Sequence, residues 1–219
     1  MKQRWLFLLL PILIPILAVA SPPPYKVETI GACTSADVSD EVKNSLQPRG
    51  FRILEDSGTF CEIWLRKVIP QKSAGTDYNT IADGTLAGVI IYSGKAGDYR
   101  GQKVAPGTYT MRYQTMPSDG NHMGVSPTTD YFLLAPAGAD KNPEAVFDYE
   151  NLINLSRKAS KTNHPAPIYL VAPAAGGKID FHNTESGQWV LELKARVQPG
   201  GGAEADLPLA IILIGKGEA

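Results

Sequence analysis

Trp189-Val190-Leu191-Glu192-Leu193-Lys194-Ala195-Arg196-Val197 is the longest run of clean alternation in the chain. Trp189, Leu191, Leu193, Ala195 and Val197 fall on one side of an extended backbone, and Gln188, Glu192, Lys194 and Arg196 on the other. Successive side chains of a strand point to opposite faces, so the pattern reads as a β-strand with one buried and one wet face. Just upstream, Ile179-Asp180-Phe181-His182 is set off by Asn183 to Gly187, which marks a hairpin. Beyond Pro199-Gly200-Gly201-Gly202, Leu209 to Ile214 is apolar on both faces and reads as an internal strand that closes the fold.

Working outward, the same text recurs. Phe51 to Glu55 and Phe60 to Val68 flank Asp56-Ser57-Gly58-Thr59, a second hairpin signal. In its second strand Cys61, Ile63 and Leu65 share one face, while Glu62, Trp64 and Arg66 share a wetter one. Leu86 to Tyr92 is apolar on both faces and central. Tyr99 to Tyr113 reads as a further strand pair, with Pro106-Gly107 as a type II turn. Tyr131 to Leu134 and Ile168 to Ala172 are short strands. Residues 143–160 break the pattern. Asn142 suits a helix cap, Pro143 the first helical position, and Val146, Tyr149, Leu152, Ile153 and Ser156 recur at helical spacing. Ser35 or Ser39 suits the cap of a short helix around Asp40 to Leu46. About eight to ten short strands with one amphipathic helix at about 143–160 predict a mainly β chain, a single antiparallel β-sandwich or jelly roll.

The N-terminus carries an address. Lys2 and Arg4 precede an almost wholly apolar run, Trp5 to Leu17, and Ala18-Val19-Ala20 has the small residues of a signal-peptidase site. The expected organisation is a signal peptide at 1–20, a Pro-rich spacer at 21–26 and a single β-sandwich domain at 27–219. The apolar run is shorter than the roughly 20 residues of a spanning helix and holds two prolines, so cleavage is favoured over a retained anchor. No membrane span is then expected in the mature chain, and its place is periplasmic or secreted. Without Lys2 and Arg4, 19 of the 21 basic residues remain against 22 acidic ones, a net of −3. Such a balance does not suggest nucleic acid, which calls for a concentrated basic patch.

Two cysteines, Cys33 and Cys61, make up the full complement. In an oxidising compartment they are expected to pair, and closing a loop of that length contributes about 3–4 kcal/mol. The alternative is two buried thiols.

The run richest in chemistry is Met111 to Asp130. Asp119, Asn121, His122 and Asp130 bring polar groups beside Tyr113 and Tyr131, a mixture suited to a small polar ligand or a glycan. A second possibility is metal. Met116, His122 and Met123, with His164 and His182 from other loops, offer thioether and imidazole donors for copper or zinc. Gly-x-Ser-x-Gly, Ser-x-x-Lys, His-Glu-x-x-His, phosphate-loop and dinucleotide signatures are all missing, so neither catalysis nor an organic cofactor is indicated.

Gly101 to Arg112, with Pro106-Gly107-Thr108-Tyr109 at its centre, and Asp119 to Asp130 resemble segments of uncharacterised exported bacterial β-sandwich proteins. The resemblance covers about a fifth of the chain and implies export and a β-sandwich, with no activity to carry over. The expected function is therefore a non-enzymatic exported binding protein whose partner is an envelope protein or a glycan.

Overall fold

A computed structural model describes residues 24–99, 101–116, 128–174 and 178–215. Strand β1 (Tyr25–Ile30) begins inside the stretch read as a spacer. Helix α1 (Asp40–Ser45) follows, capped by Ser39, whose hydroxyl accepts from the Val42 amide at 3.2 Å. β2 (Gly50–Glu55) and β3 (Gly58–Leu65) form the expected hairpin, with Gly58 at φ +130° after the Asp56-Ser57 turn. β4 (Ile69–Gln71), a 3-10 turn (Tyr78–Thr80) and β5 (Leu86–Tyr92) come next. β6 (Ala96–Gly97) and β7 (Lys103–Val104) make a separate two-stranded hairpin. The expected pairing within 99–113 does not form. Pro106 is a bend and Gly107 is already the first residue of β8 (Gly107–Thr115), which pairs with β5 and with β9 (Asp130–Pro136). Helix α2 (Tyr149–Ser160), β10 (Pro167–Val171), β11 (Asp180–Asn183), β12 (Trp189–Pro199) and β13 (Ala205–Ile214) complete the chain.

The chain is mainly β. Eleven strands form one sheet in the order β1-β2-β3-β5-β8-β9-β10-β13-β12-β11, with β4 parallel beside β12. The sheet turns on β10. Pro167 to Tyr169 pair with β9, and Leu170 and Val171 pair with β13. The two arms thus curl around a shared core, an arrangement compatible with the expected sandwich. Ile63 and Leu65 from β3, Met111 from β8, Phe132 from β9, Leu191 and Leu193 from β12 and Leu209 and Ile211 from β13 all belong to it. The sheet's outermost strands also meet. The Tyr25 ring of β1 lies 5.4 Å from Phe181 of β11 and 4.7 Å from Trp189 of β12, in edge-on contacts.

Two smaller clusters cover the outer face. Val38, Val42 and Leu46 cover Trp64, Leu86 and Val89. Trp64 is therefore 4% exposed, with its indole N–H donating to Gly31 O at 2.8 Å, and the face read as wet is dry here. Leu152 and Ile153 of α2 cover Tyr131, Leu133, Tyr169, Val190 and Ile212. On β12 Lys194 and Arg196 are exposed and paired with Asp206 and Glu204, but Glu192 is buried and accepts from the Ala174 amide.

The cysteines do not bridge. Cys61 lies in the inner core, and Cys33 packs in the outer cluster with Trp64. Cys61 and Trp64 occupy opposite faces of β3, so the sheet stands between the two thiols.

Helix α2 starts later than its periodicity suggested. Its cap is Asp148, whose carboxylate accepts from the Asn151 amide at 2.8 Å; Asn142 instead holds the Glu144 amide in a local turn. The buried Arg112 is the reason. Its guanidinium takes the carbonyls of Asn142 and Ala145, so residues 140–147 wrap around it as irregular chain. Val146, read as part of the helix's apolar face, is 93% exposed.

Candidate functional site

Tyr131 and Tyr169 are directly paired across β9 and β10, both facing outward, with ring centroids 5.8 Å apart. The strand period puts Phe132, Ile168 and Leu170 in the core and leaves these two rings on the opposite face. α2 crosses above them. Its first residue, Tyr149, lines the cleft over these two rings, and Ile153 one turn later packs on the same patch. Tyr99 adds a fourth ring, edge-on to Tyr169 at 5.9 Å. Burial, reinforced by the neighbouring tyrosines, pushes the Tyr131 hydroxyl far above its usual range, so it stays a neutral hydrogen-bonding group.

Tyr131, Tyr149 and Tyr169 floor a cleft of about 560 Å³, walled by Met116, Ile153, Pro165 and Pro167 and rimmed by Asp98, Gln102 and His164. That is the size of an ordinary small-ligand site. Its wall on one side is the β6–β7 hairpin. Gln102 Nε2 donates to Pro165 O at 2.7 Å, tying that hairpin to the segment after α2, and Asp98 Oδ1 accepts from the Gln102 amide at 2.8 Å. The lining combines flat apolar rings with amide, carboxylate, imidazole and phenol groups and, among the described residues, contains no lysine or arginine.

A second cleft, of about 360 Å³, lies at the other side of the β8–β9 strand ends. Thr76 to Asn79, Thr128, Asp130 and Leu170 to Pro173 line it. Tyr78 crosses its floor, donating to Val171 O and accepting from the Ala210 amide.

The ligand-binding residues read from sequence are thus divided. Tyr131 lines the first cleft and Asp130 the second. Tyr113 is fully buried, and its hydroxyl donates to Asp130, so it orients that carboxylate from within the core. Asp119, Asn121 and His122 lie outside the described residues. Of the metal set, Met116 and His164 share the first cleft, whereas His182 is on β11, with Nδ1 3.4 Å from Asp180 Oδ2. Met123 also lies outside the described residues. Among the described residues no three His, Cys, Asp or Glu side chains gather as a metal site would require. No described helix is long and apolar enough to cross a membrane.

Sequence reading missed Tyr149, Tyr169 and Gln102. Helical spacing places Tyr149 on the helix's buried face, whereas its ring is exposed. Tyr169 was hidden in an apolar run whose alternation, Ile168 and Leu170 against Tyr169, is the one signal that could have singled it out. No family model, no curated protein and no solved structure matches the chain.

Proposed function

We propose that this is an exported, non-enzymatic protein that binds a glycan in the tyrosine-floored cleft. The observation that carries the reading is the exposed Tyr149 ring in a cleft of about 560 Å³ that the buried Tyr131–Tyr169 pair underlies. A pyranose ring has apolar C–H faces and a rim of hydroxyls. The exposed Tyr149 ring offers a flat surface to such a face, and each hydroxyl donates and accepts, matching Asp98, Gln102, His164 and the Tyr149 phenol. Export is supported by the basic, apolar and small-residue succession of residues 1–20. The resemblance to exported bacterial β-sandwich proteins agrees with it, and the lack of any catalytic signature in the sequence supports binding over turnover.

Calorimetric titration with a panel of neutral oligosaccharides tests this reading. Saturable binding that Tyr149→Ala abolishes, with an unchanged melting temperature, supports it. No heat with any saccharide, or binding indifferent to Tyr149→Ala, overturns it. Capture of an envelope protein that competes with no saccharide would replace the glycan by a protein partner. A second reading, a copper site, is favoured by Met116 and His164 on one cleft; stoichiometric copper in protein purified from its own compartment would establish it, and a metal-free protein would remove it.

A further inference from the structure

The second cleft, of about 360 Å³, has a chemistry of its own. Among the described residues its lining holds two carboxylates, Asp77 and Asp130, and no lysine, arginine or histidine. The undescribed stretches that continue from it, 117–127 and 175–177, hold one histidine, His122, and neither lysine nor arginine. Asp77 is exposed and Asp130 half-buried, and neither forms an ion pair with another described residue. Tyr113, from the core, and Thr129 donate to Asp130, so neutral partners hold its carboxylate and leave its charge uncompensated. Burial first, and then the charges of Glu192 and Asp130, raise the Tyr78 hydroxyl on the floor, so negative charge is felt there as well. The rest of the wall, Leu170 to Pro173, is apolar.

We infer that this cleft binds a small, free aliphatic amine, with ammonium charge at Asp77 and Asp130 and the carbon chain along Leu170 to Pro173. The assignment is independent of the glycan reading, which concerns the other cleft. Two carboxylates that face one cavity without cationic partners repel each other, and a cation that enters offsets that repulsion. A volume of about 360 Å³ lies at the lower end of the small-ligand range and holds a molecule rather than a bare ion. Among the described residues no third His, Cys, Asp or Glu joins the two carboxylates, as a metal ion would require. An ammonium group asks for less. It donates three hydrogen bonds, which the carboxylates, the Thr76 hydroxyl and the Asn79 side-chain carbonyl are of the right type to accept. The apolar wall then covers the alkyl chain, which a hydrated metal ion would leave bare.

Titration of the purified protein with 1,4-diaminobutane, followed by nuclear magnetic resonance, tests the inference, with 1-butanol and butyrate as the neutral and anionic counterparts. The diamine should shift the amides of residues 76–79, 128–130 and 170–172 in a saturable way. The alcohol and the acid should shift none of them. Asp130→Asn should weaken binding at least ~10-fold, the scale of one hydrogen bond to a charged group. Because Tyr113 donates to Asp130, that variant can disturb the core. Asp77→Asn, at an exposed position, is the parallel variant; it should weaken binding several-fold with no change in melting temperature. No saturation up to ~10 mM, weaker than a good ligand of this size allows, would overturn the site. So would an equal response to the alcohol, or diamine binding untouched by both substitutions. Binding of Nα-acetyl-lysine methylamide without binding of the diamine would assign the ammonium to a protein side chain and overturn the free small molecule.

Discussion

Arg112 and Asp140 form a fully buried, two-pronged ion pair, with Nε 2.8 Å from Oδ2 and Nη2 2.7 Å from Oδ1. The guanidinium has five N–H donors, and all five are used. The other three reach the carbonyls of Gly84, Ala145 and Asn142 at 2.9, 3.0 and 2.7 Å. Thr110 donates to the same carboxylate at 2.6 Å, and the guanidinium lies 4.9 Å from the centre of the Phe147 ring. One side chain on β8 thereby fixes the segment that leads into α2, and with it the position of Tyr149 over the cleft.

Removing either partner leaves a buried charge uncompensated. Asp140→Ala is expected to cost about 3–5 kcal/mol. Arg112→Met is expected to cost a similar amount, because three backbone carbonyls lose their donors. Pairing the two substitutions should not restore stability, since an apolar pair returns none of those donors. Denaturant unfolding of the two single variants and the double variant checks this. A double variant as stable as the wild type would show that the carbonyls find other partners.

The two thiols are expected to be separate, protected and inert. Burial raises both, Cys61 well above the usual 9.0, and both side chains are almost fully covered. A thiol reagent should label neither in the native protein and both after denaturation without reductant. Reductant should leave the melting temperature unchanged. Denatured, unreduced protein with no titratable thiol would mean that the chains do pair and that the sheet between them opens.

The strands were legible because alternation is a local property. Trp189 to Val197, Leu86 to Tyr92 and the Asp56-Ser57 hairpin all lie where the period and the turn residues place them. What failed needed tertiary information. The wet-looking faces carrying Trp64 and Glu192 are buried because α1 with its preceding segment and residues 172–174 lie on them. Asn142 and Pro143 have good helix-start chemistry, yet Arg112, thirty residues upstream of Asn142, takes the carbonyls first. The cysteine pair was inferred from compartment alone, and strand parity puts a sheet between the two. The cleft was half visible. Tyr131 was singled out by its neighbours in sequence, but Tyr149 and Tyr169 reach it only through helix packing and cross-strand register.

Export makes a prediction independent of the fold. Ala18 and Ala20 are the small residues that a signal peptidase accepts, so the exported protein is expected to begin at Ser21. Intact-mass measurement on the protein recovered from the periplasm or medium decides it. A mass that retains Met1 to Ala20 would make residues 1–20 an anchor.

The fold should fail at high pH in a way that Tyr78 helps to set. Burial first, and then the nearby charges of Glu192 and Asp130, raise its hydroxyl from 10.0 to about 12, although the bond from the Ala210 amide pulls the other way. Below about pH 10 Tyr78 is protonated in both the folded and the unfolded chain, and its contribution to stability is complete. Above that, the unfolded chain releases the proton first, so stability falls with rising pH until the folded hydroxyl also ionises near 12. Cys61, raised well above 9.0, starts the same loss at lower pH. The urea midpoint should therefore be flat around neutrality, begin to fall near pH 9 and fall more steeply beyond 10. Tyr78→Phe removes one of the groups responsible. It should lower stability at neutral pH by about 1 kcal/mol through its two lost hydrogen bonds. Between pH 10 and 12 its stability should fall less steeply than the wild type's, by the release of about one proton fewer. A variant that falls as steeply as the wild type across that window would show that Tyr78 ionises freely in the folded protein and that its hydroxyl is not held between Val171 and Ala210.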